Sequence, residues 1–432
     1  MTWQNWAGTA SADPVRRRWP RSAEEISDAV TAAAADGLTV RALGSGHSFT
    51  AAAATSGVAL DLSGWTGVVG ADLDSGLVTV RSGTTIRELN AALDTLGLAM
   101  ANLGDIDAQT VSGAISTGTH GTGAGLGGIA TQVTGLELVF ADGTVVSCSA
   151  SERPDLFGAA RVSLGALGVL STVTLQCVPA FALAADERPM PLEEVLAGFG
   201  EFAAGNDHFE FYWFPYGKNA LVKRNNRVAA GNAPGAMPDW RRFLEYEVME
   251  NAAFGALCRT GRAVPATIKS LNRLAAATLS KRSYSAPSHQ VFVTPRRVRF
   301  VESEYAVPRE SLLGVLAELR AGVPRLAHPV MFPVEVRVAA ADDVWLSTAY
   351  GRDSAYVAIH QYVGLPHEDY FQLFESIATA VGGRPHWGKM HTRDAAYLSG
   401  AYPRFADFLR VRDQTDPARL FANPYLKQVF GD

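Results

Sequence analysis

The chain has 432 residues, 47% hydrophobic and 19% charged, with 41 glycines. That length exceeds one compact core of ordinary size, so two or more globular domains are expected and a disordered chain is excluded. A net charge of −5 gives no general attraction to nucleic acid, and Cys148, Cys177 and Cys258 lie too far apart for a metal or redox spacing.

In chain order, Pro20 precedes Ser22-Ala23-Glu24-Glu25, a capping-box pattern that predicts a helix running to Gly37. Strands are predicted at 38–43, 58–62 and 77–81, with a helix at 85–96 closed by Gly97. Asp142-Gly143 between 136–140 and 144–147 predicts a hairpin, and 168–175 a further strand. Beyond Pro179, strand-like runs at 209–214, 298–307, 330–338 and 354–362 alternate with helical stretches at 191–204, 309–321 and 367–381. The order predicts an α+β protein whose later part is an antiparallel sheet covered by helices. Residues 252–282 are alanine-rich and basic, interrupted by Pro265. A solvated helical excursion is expected there, with a helix touching a membrane surface or acidic partner as the alternative. No run approaches the ~18 apolar residues of a membrane span. Arg16-Arg17-Arg18 is followed by no apolar stretch, and three thiols suit a reducing compartment. A soluble cytoplasmic protein is therefore expected.

Two glycine-rich runs carry the chemistry. Gly44-Ser45-Gly46-His47-Ser48-Phe49 follows a strand, and small residues there can turn tightly and offer bare N–H groups to a pyrophosphate. About seventy residues on lies Asn102 to Gly123, which includes Gly104-Asp105 and the run Thr110 to His120. Gly121-Thr122-Gly123-Ala124-Gly125-Leu126 neither follows a strand nor matches the dinucleotide fingerprint, which argues against a nicotinamide cofactor. Further on, Glu335 and Arg337 sit two apart in a strand-like run, on the face opposite Val334, Val336 and Val338. Such charges point into a cleft when they are kept for work. His386 and His391 lie five apart, a poor metal pair, and no metal site is expected.

These runs, with Phe332 to Arg337 followed by Trp345 to Tyr350, which is similar to the family's substrate strand, and then Arg384-Pro385-His386-Trp387-Gly388-Lys389, resemble the vanillyl-alcohol-oxidase-type flavoproteins. The closest likeness is to the branch of sugar-lactone and alditol oxidoreductases. The resemblance implies a two-domain FAD-binding fold: an FAD domain at 1–178, a substrate domain at 179–400, and a segment 401–432 returning to the FAD domain. It implies FAD attached covalently through His47, with Gly44, Ser45, Gly46 and Ser48 at the pyrophosphate. Gly104, Asp105, Thr110, Gly113, Thr117, Gly118, Thr119, His120, Leu170 and His386 would complete the cofactor site. A neutral imidazole is a competent nucleophile near pH 7, which suits such a bond.

By the same resemblance Glu335 contacts the substrate hydroxyl, Arg337 and Lys389 supply positive charge for the reduced flavin, and His360 assists. The substrate implied is a sugar-acid 1,4-lactone of the L-gulono or D-arabinono type, with O2 or another acceptor reoxidising the flavin. An alditol is the alternative. Asp105 replaces a serine of alditol oxidases and Tyr362 a threonine, whereas Trp345 to Asp353 reads like an alditol oxidase. Gly104 occupies the family's oxygen-gate position, where glycine implies an oxygen-accessible flavin. A flavin carrier without its own substrate would need no organised charge in the cleft.

Overall fold

The computed structural model describes residues 2–228 and 235–431. At its beginning the expected strands Val40–Leu43 and Val58–Asp61 pair in a parallel sheet, and Arg16–Arg18, not expected as a strand, adds to the other side of Val58–Asp61. The helix Ala23–Ala35 packs Ile26, Val30 and Ala33 inward. Ser22 caps it by accepting the Glu25 N–H, but Glu25 returns its carboxylate to the N–H of Arg21, so the box is not closed on Ser22. The reciprocal box forms instead at Thr85 and Glu88, ahead of the helix Ile86–Thr95.

A five-stranded antiparallel sheet follows, in the order Val145–Ser149, Val133–Val139, Val169–Gln176, Leu77–Arg81 and Val68–Asp72. Gly143 makes the predicted tight turn at φ +84°. The strand Ala182–Pro191 opens an eight-stranded antiparallel sheet. Its order is Arg282–Pro287, Ala182–Pro191, Asn219–Val228, His208–Trp213, Val334–Ala339, Ser354–Tyr362, Phe300–Pro308 and Arg384–Pro385. One face of this sheet packs on the helices Leu312–Gly322 and Glu368–Ala380 through Phe211, Tyr305, Val336, Ile359 and Phe374.

Several expectations shift. The single helix expected at 191–204 is two short ones, Leu192–Ala197 and Phe199–Ala204, joined at Gly198. The strands Arg16–Arg18, Val68–Asp72, Ala182–Pro191, Asn219–Val228 and Arg282–Pro287 were not anticipated. Helices flank Pro265 in the basic segment, as expected there.

The end of the chain folds back. Leu398, Phe408, Leu426 and Phe430 join the core that holds Val80, Leu138 and Val173 of the five-stranded sheet. Arg41 donates to the Phe421 carbonyl at 2.8 Å, and the Asn423 amide donates to the carbonyls of Ala51, Ala52 and Ala54.

Candidate active site

The two glycine-rich runs meet. The Thr110 hydroxyl accepts the Gly113 N–H and starts the short helix Val111–Ser116. A Cβ added to Gly44 would lie 2.7 Å from Thr110 Oγ1, and one added to Gly113 would lie 2.9 Å from the same atom. The bare Gly44 lets the two loops approach this closely, and the bare Gly113 leaves room for the Thr110 cap within its own loop. Gly46 bends at φ +71°, Gly118 at φ +76°, and the Phe49 N–H donates to the Gly388 carbonyl at 2.7 Å. A narrow cleft of about 100 Å³ runs between the loops, lined by Gly44 to Ser48, Thr110, Gly113, Thr117 and Leu170. It adjoins a much larger one, about 1200 Å³, sharing His47, Ser48, Gln109 and Thr117 with it.

His47 stands at that junction, stacked on Trp6 with ring centroids 5.8 Å apart. Burial, with Lys389 adding to it and Asp107 opposing, lowers its pKa, so the imidazole is neutral at pH 7. The cradle of glycine backbone, the neutral histidine at its mouth and the adjoining cleft fit FAD. The three cysteines are buried and offer no second attachment among the described residues; burial pushes Cys148 and Cys258 up to about 12 and Cys177 to about 11.

The floor of the large cleft is the uncovered face of the eight-stranded sheet. Register sets a row across four strands, Tyr212–Glu335–Ala358–Glu304, with Glu302 opposite His360 and Arg337 opposite Tyr356 beside it. Val334, Val336 and Val338 face the core, as the alternation predicts. Arg337 contacts Glu335 at 2.5 Å, Glu210 at 2.8 Å and Asp105. Arg296 reaches Asp105 at 2.6 Å, and the Tyr212 hydroxyl lies 3.2 Å from both Glu210 and Glu335. Lys389 Nζ meets Glu302 at 2.6 Å and Glu304 at 3.9 Å. His360 sits 3.5 Å from Glu302 and 3.9 Å from Glu335.

Burial raises the Glu335 carboxyl above its ordinary value; Arg337 opposes this, and Asp105 and Glu210 add to it. For His360 burial acts downward, but Glu302 and Glu335 outweigh it and the imidazole is raised. Burial would raise Glu302, yet Lys389 and His360 hold it at about 2. His386 is lowered to about 3, mainly by burial, and its Nδ1 accepts the Gly388 N–H at 3.0 Å. It is therefore neutral with its proton on Nε2. His120 stacks on Tyr356 at 3.6 Å and contacts Glu304 at 2.7 Å. His120, Glu304 and His386 are close enough to share a cation; in this structure His120 and Glu304 bond each other and His386 Nδ1 takes the Gly388 N–H.

Most of the expected residues share these two clefts; Gly118 lines neither, and three further differences stand out. Asp105, expected on the cofactor side, turns its carboxylate to Arg337 and Arg296 on the substrate sheet, which holds it well below the carboxylate range despite burial. Trp345 to Tyr350 is not part of a strand and does not line the cleft: Trp345 packs on the helix Pro154–Ala160, where a Gly158 Cβ would meet its ring at 2.6 Å. Tyr362 stands behind Phe332, stacked at 6.4 Å, and does not reach the cleft wall. Six contributors went unrecognised in the sequence: Glu210, Tyr212, Lys223, Arg296, Glu302 and Glu304. The alternation that exposed Glu335 and Arg337 was equally present in Val301-Glu302-Ser303-Glu304-Tyr305.

Residues 173–429 match the profile of the D-arabinono-1,4-lactone oxidase family, and residues 15–149 match an FAD binding domain. The chain belongs to the D-arabinono-1,4-lactone oxidase family. This lactone-oxidase family member is 44% identical over 429 residues to an L-gulono-1,4-lactone dehydrogenase of Mycobacterium tuberculosis, covering 99% of each chain. It is 36% identical to the L-gulonolactone oxidase of Mus musculus, covering 100% of this chain and 98% of that one. The fold is shared with the crystal structure of cholesterol oxidase from B. sterolicum, at a TM-score of 0.80 and 16% identity over 99% of this chain and 96% of that one. The lactone-oxidase family member is thus an FAD-dependent oxidoreductase with a vanillyl-alcohol-oxidase-type fold. No helix among its described residues is long and apolar enough to cross a membrane.

Proposed function

We propose that the protein oxidises a sugar-acid 1,4-lactone of the L-gulono or D-arabinono type, using FAD attached through His47. Residues 1–178 with 401–432 would hold the flavin, and 179–400 the substrate. The observation that carries this reading is the charge census of the cleft floor. Asp105, Glu210, Glu302, Glu304 and Glu335 face Arg296, Arg337, Lys223 and Lys389. Each of these cations is already paired with a carboxylate, which leaves no uncompensated cation for a free sugar acid, an anion, and suits an uncharged, hydroxyl-rich lactone.

When bound, FAD supplies the two-electron acceptor for the hydrogen on the carbinol carbon. Glu335, with its raised pKa, and His360 beside it are placed to take the hydroxyl proton. Arg337 orients Glu335, Tyr212 offers a further hydroxyl, and Lys389 holds Glu302 against His360. His386, neutral, lines the cleft beside Lys389. Gly44 to Ser48, Thr110, Gly113, Thr117 and Leu170 would line the flavin's diphosphate and ring. Because Asp105 is tied to two arginines, it is not free to bind a hydroxyl as a serine would, which supports a lactone over an alditol.

Anaerobic mixing with aldonolactones, alditols and open-chain aldonates tests the substrate class. Bleaching of the flavin by lactones at the lowest concentration is expected; bleaching by alditols alone would overturn the reading. Yellow colour remaining with acid-precipitated protein is expected from the His47 bond.

A further inference from the structure

A stretch of chain that the chemistry above does not use lies against the His47 loop. Residues 3–12 form a small hairpin, Trp3–Gln4 paired with Ser11–Ala12, and the loop between these strands runs along residues 44–49. The Trp6 N–H donates to the Gly46 carbonyl at 2.8 Å, and the Asn5 amide to the Ser48 carbonyl at 2.9 Å. The Thr9 hydroxyl donates to the Phe49 carbonyl at 2.8 Å. Both chain neighbours of His47 are therefore tied to this loop. A Cβ on Gly46 would stand 3.5 Å from Asn5 Cα, so the two segments touch along their backbones. The loop is also fixed within itself: Asn5 donates to Thr9 Oγ1 at 2.8 Å and accepts the Ala10 N–H at 3.1 Å.

His47 itself is held differently from the other histidines of the clefts. His120 bonds Glu304, His360 the Pro333 carbonyl and His386 the Gly388 N–H. Neither ring nitrogen of His47 has a hydrogen-bond partner among the described residues. Its ring contact is the stack on Trp6, at an interplanar angle of 26°. Trp6 is braced edge-on in turn by Phe49, with centroids 6.3 Å apart, and by Phe300 at 5.3 Å. An imidazole without hydrogen bonds can turn about its side-chain torsions. A nucleophile whose lone pair is not already aimed at the reacting carbon loses one or more powers of ten in rate. A stacked aromatic face restrains that turning and leaves both nitrogens free.

We propose that Trp6, anchored through residues 5–10, is a positioning residue for the covalent attachment of FAD: it fixes the plane of the His47 imidazole so that a free ring nitrogen meets the flavin's 8-methyl carbon. The role rests on the His47 bond proposed above. As the N–C bond forms, one hydrogen leaves the methyl carbon and one the imidazole nitrogen, as two protons and two electrons. The electrons enter the flavin ring and pass to O2, which is reduced to hydrogen peroxide.

Full-length protein produced in riboflavin-starved cells and then mixed with FAD tests this. Quenching of FAD fluorescence reports binding, and flavin fluorescence on a denaturing gel reports the bond. Trp6→Ala should bind FAD with unchanged affinity yet form the bond roughly ten-fold or more slowly. Trp6→Phe, which keeps a ring to stack, should restore most of the rate. Attachment in Trp6→Ala at the wild-type rate would overturn the proposal, and so would a Trp6→Phe variant as slow as Trp6→Ala. A Trp6→Ala variant that lost FAD binding to the same degree as attachment would make Trp6 a wall of the cradle and end its positioning role. A wild type that binds FAD and releases all of it on denaturation would overturn the His47 bond itself, and this role with it.

Discussion

The flavin-side loops and the substrate-side sheet meet at the large cleft and are built by opposite means. Around Gly44, Thr110 and Gly113 the site is backbone brought to close contact by missing side chains, with one neutral histidine. Around Arg337 it is ionised side chains packed on a sheet face, each held by others. The first kind is local in sequence and tolerates no added atom; the second is assembled from distant strands and tolerates no lost charge.

The largest effect should come from breaking the second kind. Arg337→Ala leaves Asp105, Glu210 and Glu335 buried together, so a loss of about 3–5 kcal/mol in stability is expected. A fall in kcat of roughly 10²-fold or more should accompany it; thermal melts and single-turnover flavin reduction measure the two. An increase confined to KM would make Arg337 a substrate clamp. Lys389→Ala should lower kcat on a similar scale with less loss of stability, because Lys389 is partly exposed where Arg337 is enclosed.

Next in size is the first kind. His47→Ala should leave FAD bound but released on acid precipitation, with slower reduction. Flavin retained by the denatured variant would place the bond elsewhere.

The pH dependence sharpens the contrast. Glu302 sits at about 2 against an ordinary 4.5, so its stabilisation is present above pH 4.5 and lost as pH falls toward 2. His360 is raised, so its contribution is complete below 6.5 and lost as pH rises through its folded value. Glu302→Gln should therefore flatten the acid limb of the stability curve and move the His360 limb of kcat/KM to lower pH. An unmoved kcat/KM profile would remove His360 from the proton path.

The smallest expected effect is Gly104→Ala. Its Cβ would lie 3.0 Å from the His120 carbonyl and 3.3 Å from Thr119 Cγ2. Slower reoxidation by O2, by several-fold at equal flavin loading, is expected from stopped flow. Equal rates would retire the oxygen gate.

The two regions also differed in how far they could be read from sequence. Gly44 to Ser48 and Thr110 to His120 were legible because their geometry follows from residues a few positions apart. Glu335 and Arg337 were legible through alternation against three valines. Arg296 and Glu210 were not, since only strand register brings them beside Asp105 and Arg337. The three longest missed strands share one cause. In Ala182–Pro191 and Asn219–Val228, Asp186, Glu187, Lys223 and Arg224 interrupt the apolar alternation, and pairing hides them: Asp186 binds Arg224 at 2.7 Å, and Glu187 binds Arg282. A buried ion pair looks like a surface in sequence and like a core in space.

The Asn423 amide that pins the loop after His47 has a consequence in time. Its side chain grips Ala54 from 369 residues further along. At ribosomal rates of roughly 5–20 residues per second, about 20–70 seconds separate the synthesis of the loop from that of its fastener. During that interval the loop after His47 lacks these contacts, and its final packing waits until translation has passed Asn423.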